Sequence, residues 1–527
     1  MRFPCGLIPL SPLKGFPQDF RHPGVDTSAR RFVSERYGER CVQDIEASYH
    51  RSGVSKDSLL NDVLKYDRTY KPSLKDDDIF KMVIASVREQ FVPKQKLIPW
   101  TLGRVESYSE FPRDRSPGIP WKTRGYRTKG DVLADPNAVK IWHANWRQIG
   151  LGYARSLPDT ALFVRAQVCG VDREKVRAVW GYPIDVIVEE GRGFYPYLNW
   201  LKGQDAPVGY CVEIARGGMH YINAMLHEYP STTHKYVVSD WTEFDKTVPP
   251  WLIREVFRII YDSFDWSQVL DSEGKIWPVK EQDSYRRFWR VVKYFINTPV
   301  RLCDGSRYKK TGGVPSGSMW TNIVDTLVNV IVTRYVSYLM WGQFPCADIY
   351  LGDDSVYVAR GQVDLTLVSE LAEKYFGMIL NTKKSYVTTN PRNVHFIGYY
   401  NRDGRPFKPQ DFLIASFIFP ERFVENNTIR LARAVGQMWS TCDGASAVMW
   451  RKICQDIMDF HGVTEEDMKA HILSHPSYFR YLRTVGINLG QVSIPPPGPQ
   501  GYVFQVDPPL FSLRPFIPKE WDYDALY

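Results

Sequence analysis

The spacing of apolar and polar positions changes period repeatedly along the chain, and each change predicts an element. Residues 57–66 carry helical spacing inside a first hundred residues otherwise punctuated by prolines. Residues 161–190 read as strand, basic loop and strand, the second strand being the β-branched run 184–188. Tyr236-Val237-Val238 is a short strand leading to Asp240. Pro249 and Pro250 open an amphipathic helix over 251–264, with apolar residues at 252, 253, 256, 257 and 260. Two apolar runs, 349–351 and 356–358, flank Gly352-Asp353-Asp354-Ser355, which is the pattern of a tight β-hairpin. A helix over 365–376 stops at Gly377, a residue suited to a left-handed cap. A second hairpin is predicted for 395–400 and 405–408 around Asn401-Arg402-Asp403-Gly404, and 411–490 is mainly helical. From Gln491 onward eight prolines favour an extended tail, and Phe504, Phe511, Phe516 and Trp521 predict that it lies against the folded body.

Composition narrows the class. A chain of 527 residues, 44% apolar and 24% charged, is globular and long enough for two to four domains. The net charge of +8 permits a polyanionic partner without requiring one. Eight scattered cysteines form no C-x-x-C pair, which fits a reduced, intracellular protein. Residues 1–16 are too interrupted by proline for a signal peptide, and 323–341 is interrupted by Asp325, Asn329 and Arg334, so a soluble, non-secreted protein with no membrane partner is expected.

Chemistry concentrates at strand ends. Asp240 closes one strand, with Asp245 five residues on, and Asp353-Asp354 occupy a turn between two others. Crowded carboxylates repel unless hard cations lie between them, and Mg²⁺ characteristically takes one or two carboxylates plus substrate phosphates. A lone Asp-Asp pair is equally compatible with a solvated turn, as Asp76-Asp77-Asp78 illustrates. The third element is TGGVPSGSMWTNIVDTLVN, residues 311–329: a glycine-rich loop entering a helix on which Thr321, Asp325 and Asn329 share one face. A phosphate-binding P-loop is excluded because Ser318 stands where lysine is needed. His227-Glu228 and His234 have the wrong spacing for zinc.

Taken as a set, these residues resemble the palm of viral RNA-dependent RNA polymerases. Asp240 and Asp245 resemble motif A, GGVPSGS with MWT and NIVD motif B, LGDDS motif C, LNTKKS motif D and HFIGYY motif E. RAQVCGVDREKVRAVW resembles motif F, and SPGIP resembles motif G. The wording is most similar to partitivirus polymerases, with picobirnavirus polymerases next. The resemblance implies an α+β right-hand fold in closed form with N- and C-terminal extensions. It divides the chain into an N-terminal extension (1–110), fingers (111–232), palm with motif A (233–262), a fingers insertion (263–311), palm with motifs B to E (312–410), a thumb (411–490) and a proline-rich tail (491–527).

It further implies nucleotidyl transfer with Mg²⁺, for which Mn²⁺ can substitute, held by Asp240, Asp353 and Asp354. Lys384 is the implied general acid, with Lys383 the alternative. Arg165, Lys175 and Arg177 are implied for the triphosphate, and Asp245, Ser316, Gly317, Thr321, Asp325 and Asn329 for the rest of the nucleotide. Many relatives carry Asn where this chain has Asp325, so whether Asp325 or Asn329 reads the ribose is left open. Ser116, Pro117 and Gly118 are implied to meet template RNA, within a basic segment whose Trp121 and Tyr126 could stack on bases. The implied partners are template and product RNA, NTPs and a viral capsid protein, for a monomer in the virus particle and the host cytoplasm. The tail could then be either a channel plug or a brace on the thumb. A reverse transcriptase shares the carboxylates but does not account for the loop-helix stripe, and a structural RNA-binding protein shares the charge and aromatics but does not explain three carboxylates on strand ends.

Overall fold

Alternating side chains along His234–Ser239 and its neighbours bury both faces of a four-stranded antiparallel sheet, ordered Ala347–Leu351, Asp354–Arg360, His234–Ser239, Tyr386–Thr388. The structure is a computed structural model, and it describes residues 6–496 and 514–527. Tyr236, Val238, Val356 and Val358 point into a core shared with the C-terminal helices. Val237, Tyr357 and Ala359 point the other way, with Trp341 and Val387 packed on them. The helix Thr321–Trp341 packs against this sheet, as do Asp78–Phe91, Pro250–Tyr261 and Leu365–Phe376 against the helix. It is apolar and long enough by composition to cross a membrane, but it is buried inside the fold as the central palm helix.

That burial traps one charge. Arg334 is fully enclosed and reaches Asp348 at 3.0 Å, Gln90 at 2.6 Å and Ser86 at 3.2 Å, while Trp521 covers its guanidinium at 4.8 Å. Tyr350 Oη also donates to Asp348 at 2.9 Å, so both charges are paired and hydrogen-bonded. Such a pair adds little beyond an apolar replacement, but removing one partner strands the other.

The fingers are built on a five-stranded sheet ordered Leu7–Leu10, Arg307–Lys310, Pro299–Arg301, Thr160–Ala166, Val176–Gly181. Two sequence expectations change here. Residues 184–188 are not a strand but the start of the helix Ile184–Lys202; the strand pairing with Thr160–Ala166 is Val176–Gly181. A buried apolar run has no solvent-facing side, so its period cannot separate helix from strand, and only its continuation to Lys202 does. The second hairpin is three-stranded, because left-handed φ values at Ile397 (44°) and Gly398 (91°) fold 395–400 on itself as His395–Phe396 and Tyr399–Arg402, and Arg405–Phe407 completes it. The helix expected over 251–264 spans Pro250–Tyr261, and Leu365–Phe376 ends at Gly377 with φ of 70°.

Helices from Gln410 to Ser474 form the thumb, and several contacts close it onto the fingers. Ser477 donates through N and Oγ to Asp114 at 3.0 and 2.6 Å, and Arg115 reaches the Ser477 carbonyl at 2.9 Å. Arg483 pairs with Glu110, and Arg165 with Glu421. The N-terminal segment reinforces the ring. Leu7–Leu10 is a strand of the fingers sheet, whereas Thr27–Tyr37 packs on Gly444–His461, with Asp26 bound by Arg430 at 3.0 Å and Arg36 by Asp456 at 2.6 Å.

Residues 514–527 run along the palm. Phe516 contacts Tyr221, Lys519 pairs with Glu89 at 2.7 Å, Trp521 meets Phe344 edge-on, and Tyr523–Leu526 ends as a short helix. Residues 491–496 lie on the helices of 427–474, where Ser493 O accepts from Trp439 Nε1 at 2.9 Å and Ile494 N donates to Glu465 at 2.9 Å, so the described parts of the tail brace the folded body at two places; the expectation for Phe504 and Phe511 lies outside the described residues.

Arg334→Met should cost about 3–5 kcal/mol by stranding Asp348. The Arg334→Met/Asp348→Leu double variant should recover most of it. Urea denaturation midpoints of the two variants against wild type check this.

Candidate active site

The sheet register assembles the acids. Ser239 pairs with Ser355 and Leu351 with Asp354, so one further step puts Asp240 across from Asp354, with Asp353 at the turn. Asp240 is clamped through its backbone: its N donates to Ser385 Oγ at 2.8 Å, and its carbonyl accepts from Ser385 Oγ at 3.1 Å and Asn381 N at 2.8 Å. Gly352 has φ of 58°, and a Cβ there would lie 2.9 Å from Asn322 Oδ1, so the turn requires glycine.

Asp353 is open to solvent, yet protein surrounds it on most sides, as at the floor of a cavity. Burial first, then the neighbouring charge of Asp245, pushes Asp353 up to about 6. Burial, then Asp353 and Asp240, pushes Asp354 up to about 7, and burial raises Asp240 as well. The cations act on them through space: Lys384, Lys175 and Arg173 pull Asp240 down, and Arg177 pulls Asp353 down. Among the described residues, no three His, Cys, Asp or Glu side chains form a closed metal cage. An open set of crowded hard oxygen donors fits Mg²⁺, which retains waters and substrate phosphates in its shell.

The Thr321–Trp341 helix holds the hairpin. Thr326 Oγ1 accepts from Gly352 N at 2.8 Å, and Asn329 Nδ2 donates to the carbonyls of Gly352 at 3.1 Å and Asp354 at 3.3 Å. Asn329 Oδ1 accepts from Trp241 Nε1 at 3.2 Å and Thr333 Oγ1 at 3.3 Å. Asn329 is fully buried and committed to backbone, which turns it away from a nucleotide. Asp325 is different. It is hydrogen-bonded to Asp245, burial and that neighbour raise it far above the carboxylate range, and its Oδ1 is buried without a partner. Asp325 and Asp245 together offer a polar pair beside Asp353.

The remaining motif B residues shape the loop. Thr321 Oγ1 donates to the Pro315 carbonyl, Ser316 is exposed, and a Cβ on Gly317 would strike the Trp180 carbonyl at 2.1 Å. Of the three motif F cations, Arg177 and Lys175 face the acids, and Arg165 is bound to Glu421 of the thumb. Lys384 acts on Asp240, a role not found for Lys383.

In motif G, Pro117 and Gly118 are buried, and a Cβ on Gly118 would sit 2.9–3.1 Å from the 181–183 backbone; of the three expected template residues only Ser116 is partly exposed. The expectation that Trp121 stacks on bases is corrected: it is 3% exposed, packs on Trp142 and donates to Asp185 at 2.6 Å. Tyr126 is tied to Asp135.

Sequence reasoning missed three contributors. Arg173 was hidden among alternating charges. Asp62 on the helix Lys56–Leu64 reaches Lys246 at 3.1 Å and accepts from Ala178 N at 2.8 Å, linking motifs A and F across a sequence gap that carries no pattern. Glu190, one of two adjacent glutamates followed by Gly191 and Arg192, contacts the motif B loop, and its pattern does not tell it from Glu189.

Comparison with known proteins agrees with this geometry. Residues 30–410 match the family described as viral RNA-dependent RNA polymerase. The RNA-directed RNA polymerase of White clover cryptic virus 1 is 24% identical over 309 residues, covering 55% of this chain and 49% of that protein. That of Atkinsonella hypoxylon virus is 26% identical over 344 residues, covering 57% and 50%. The chain thus spans about half the length of the curated relatives it matches. In fold, a crystal structure of the RNA-dependent RNA polymerase of a human picobirnavirus, an insertion-loop deletion mutant, aligns with TM-score 0.64 and 13% identity over 90% of this chain and 94% of that one. With the family match covering most of the chain and the palm acids in place, the chain belongs to the viral RNA-dependent RNA polymerases.

Proposed function

We propose that this chain is an RNA-directed RNA polymerase that transcribes and replicates the segmented double-stranded RNA genome of a virus. The carrying observation is the register that brings Asp240, Asp353 and Asp354 together beneath unpaired cations. The motif wording most similar to partitiviruses supports the genome type. With it go template and product RNA, NTPs, a capsid partner, monomeric action, and a place in the virus particle and host cytoplasm.

In the reaction a 3′-hydroxyl attacks the α-phosphate of an NTP and pyrophosphate departs. Mg²⁺ or Mn²⁺ bound by Asp240, Asp353 and Asp354 supplies charge stabilisation to the attacking and leaving oxygens. Lys175, Arg177 and Arg173 draw the triphosphate to the acids, and Arg177 can bind it bidentately. Arg165 joins them only on leaving Glu421. Asp245 and Asp325 read the 2′-hydroxyl, Asp325 Oδ1 being an acceptor in want of a donor. Ser316 and Gly317 border the nucleotide, Lys384 gives the proton to pyrophosphate, and template contact in motif G falls to Ser116.

Two outcomes follow. In a primer-free assay with single-stranded RNA, NTPs and Mg²⁺, wild type should synthesise RNA. Asp353→Asn should lower the rate about a thousandfold or more with RNA binding retained; near-normal synthesis removes the hairpin from the reaction. Asp245→Ala and Asp325→Ala should narrow the NTP/dNTP preference roughly tenfold or more, because a site built for a hydroxyl loses its discrimination with its polar groups. Asn329→Ala should instead lower kcat and stability while leaving that preference in place. An Asn329→Ala enzyme with wild-type rate and altered sugar preference contradicts the assignment.

A further inference from the structure

Glu190 is an acid that neither the metal site nor the nucleotide site uses. It lies on the helix Ile184–Lys202, 2% exposed, and both its oxygens meet the motif B loop. Its Oε1 accepts from Met319 N at 3.1 Å, and its Oε2 shares a hydrogen bond with the Ser318 hydroxyl. Ser318 Oγ in turn accepts from Trp320 N at 3.1 Å, the residue that caps the Thr321–Trp341 helix. The contact therefore grips the one turn between the Ser316-Gly317 bend and the helix that carries Asp325, Thr326 and Asn329. Gly317 runs close against the strand that carries Trp180, whose carbonyl an added Cβ would strike at 2.1 Å. A shift of Ser318 must accordingly move Ser316 on one side or the helix start on the other.

We infer that Glu190, acting as a neutral carboxylic acid, is a positioning residue that locks the motif B loop in the conformation that admits the nucleotide. The inference rests on the polymerase reading. The neutral state follows from the surroundings. Glu189, its neighbour on the helix, is turned to Arg192 at 2.7 Å and Arg287 at 2.6 Å, so those cations are spent. The Tyr182 phenol, on the link before the helix, is near enough to feel the charge of Glu190, and Tyr294 stacks edge-on to Tyr182; both are fully buried. Along the Thr321–Trp341 helix the first ionisable group is Asp325, which faces Asp245. No cation among the described residues offsets the burial, which pushes Glu190 up to about 8. Once ionised, it is a bare charge held by two neutral donors, and its hydration requires the Ser318 turn to open.

The sign for stability is fixed by the direction of the shift. The folded value lies above the ordinary 4.5, so ionisation in the unfolded chain costs stability increasingly from about pH 4.5 to about pH 8 and costs none below.

Glu190→Gln, Glu190→Ala and the wild-type full chain test the lock on a primed template from pH 6.5 to 9.5. Glutamine donates to Ser318 and accepts from Met319, so it should rescue: kcat/KM for NTP near wild type at pH 7. The wild-type/Gln ratio should then fall roughly tenfold per unit above about pH 8, as one ionisation requires. Glu190→Ala should raise the NTP KM roughly tenfold or more at unchanged RNA affinity, the loss expected from freeing two buried partners. Independently of activity, Glu190→Gln should melt higher than wild type at pH 7 and at the same temperature below about pH 4.5. A flat wild-type/Gln ratio, a Gln variant as impaired as Ala, an Ala variant with wild-type KM, or no melting difference at pH 7 each overturns the inference. If Glu190→Ala does not fold, the Gln ratio and the melting series decide alone. A wild type that incorporates no NTP fells the polymerase reading and this one with it, whereas an active wild type with a flat ratio fells only this one.

Discussion

Four hydrogen bonds between the Thr321–Trp341 helix and its surroundings, with one more inside it, decide where the acids stand. Thr326 and Asn329 hold the amide and carbonyls of the Gly352 turn, and Trp241 and Thr333 hold Asn329 in its rotamer. A two-residue turn at a strand end has few contacts of its own, so its carboxylates would swing without these anchors. The same helix is fixed at its start by Glu190 and at its middle by Arg334. Burying a polar stripe costs free energy unless each group finds a partner, and here nearly every partner is backbone of the site itself. Rigidity is thus delivered to the Asp353 turn from below, leaving its upper side open to substrate.

Electrostatics then divides the pocket. Acids that repel each other occupy the floor, and cations that do not touch them occupy the fingers side. Neither set is neutralised by the other at contact distance, so each retains its affinity for a mobile counterpart. Asp325 and Glu190 have no cation among the described residues acting on them, and burial raises both. Glu190 serves as a hydrogen-bonding partner of the motif B loop and Asp325 of Asp245.

Much of this was legible in the residues. The apolar runs around Val237 and Val356 and the glycine at 352 specified the strands and the hairpin, because local period and turn chemistry act over a few residues, whereas Asp240 was set beside them by the motif resemblance. Gly377 ended its helix where expected. What the sequence did not disclose depended on distant partners. The run at 184–188 is enclosed on every side, so it lacks the polar face that reveals a period. Asn329 and Asp325 lie on one helical stripe, but only the fold shows that one faces a backbone turn and the other Asp245. Trp121 looked like a stacking platform until Trp142 and Asp185 were found around it.

The N-terminal strap has a consequence for how the molecule comes into being. Leu7–Leu10 pairs with Arg307–Lys310, and Asp26 is held by Arg430, roughly four hundred residues later in synthesis. Local helices can form as the chain emerges, but contacts this far apart carry the loop-closure cost first and are made late. During translation Ala29, Phe32 and Val33, which end fully buried, have no surface to cover them until the thumb has left the ribosome. Closure of the N-terminal strap is therefore a late event of biogenesis, and a chain stalled before Arg430 lacks the contact that seats it.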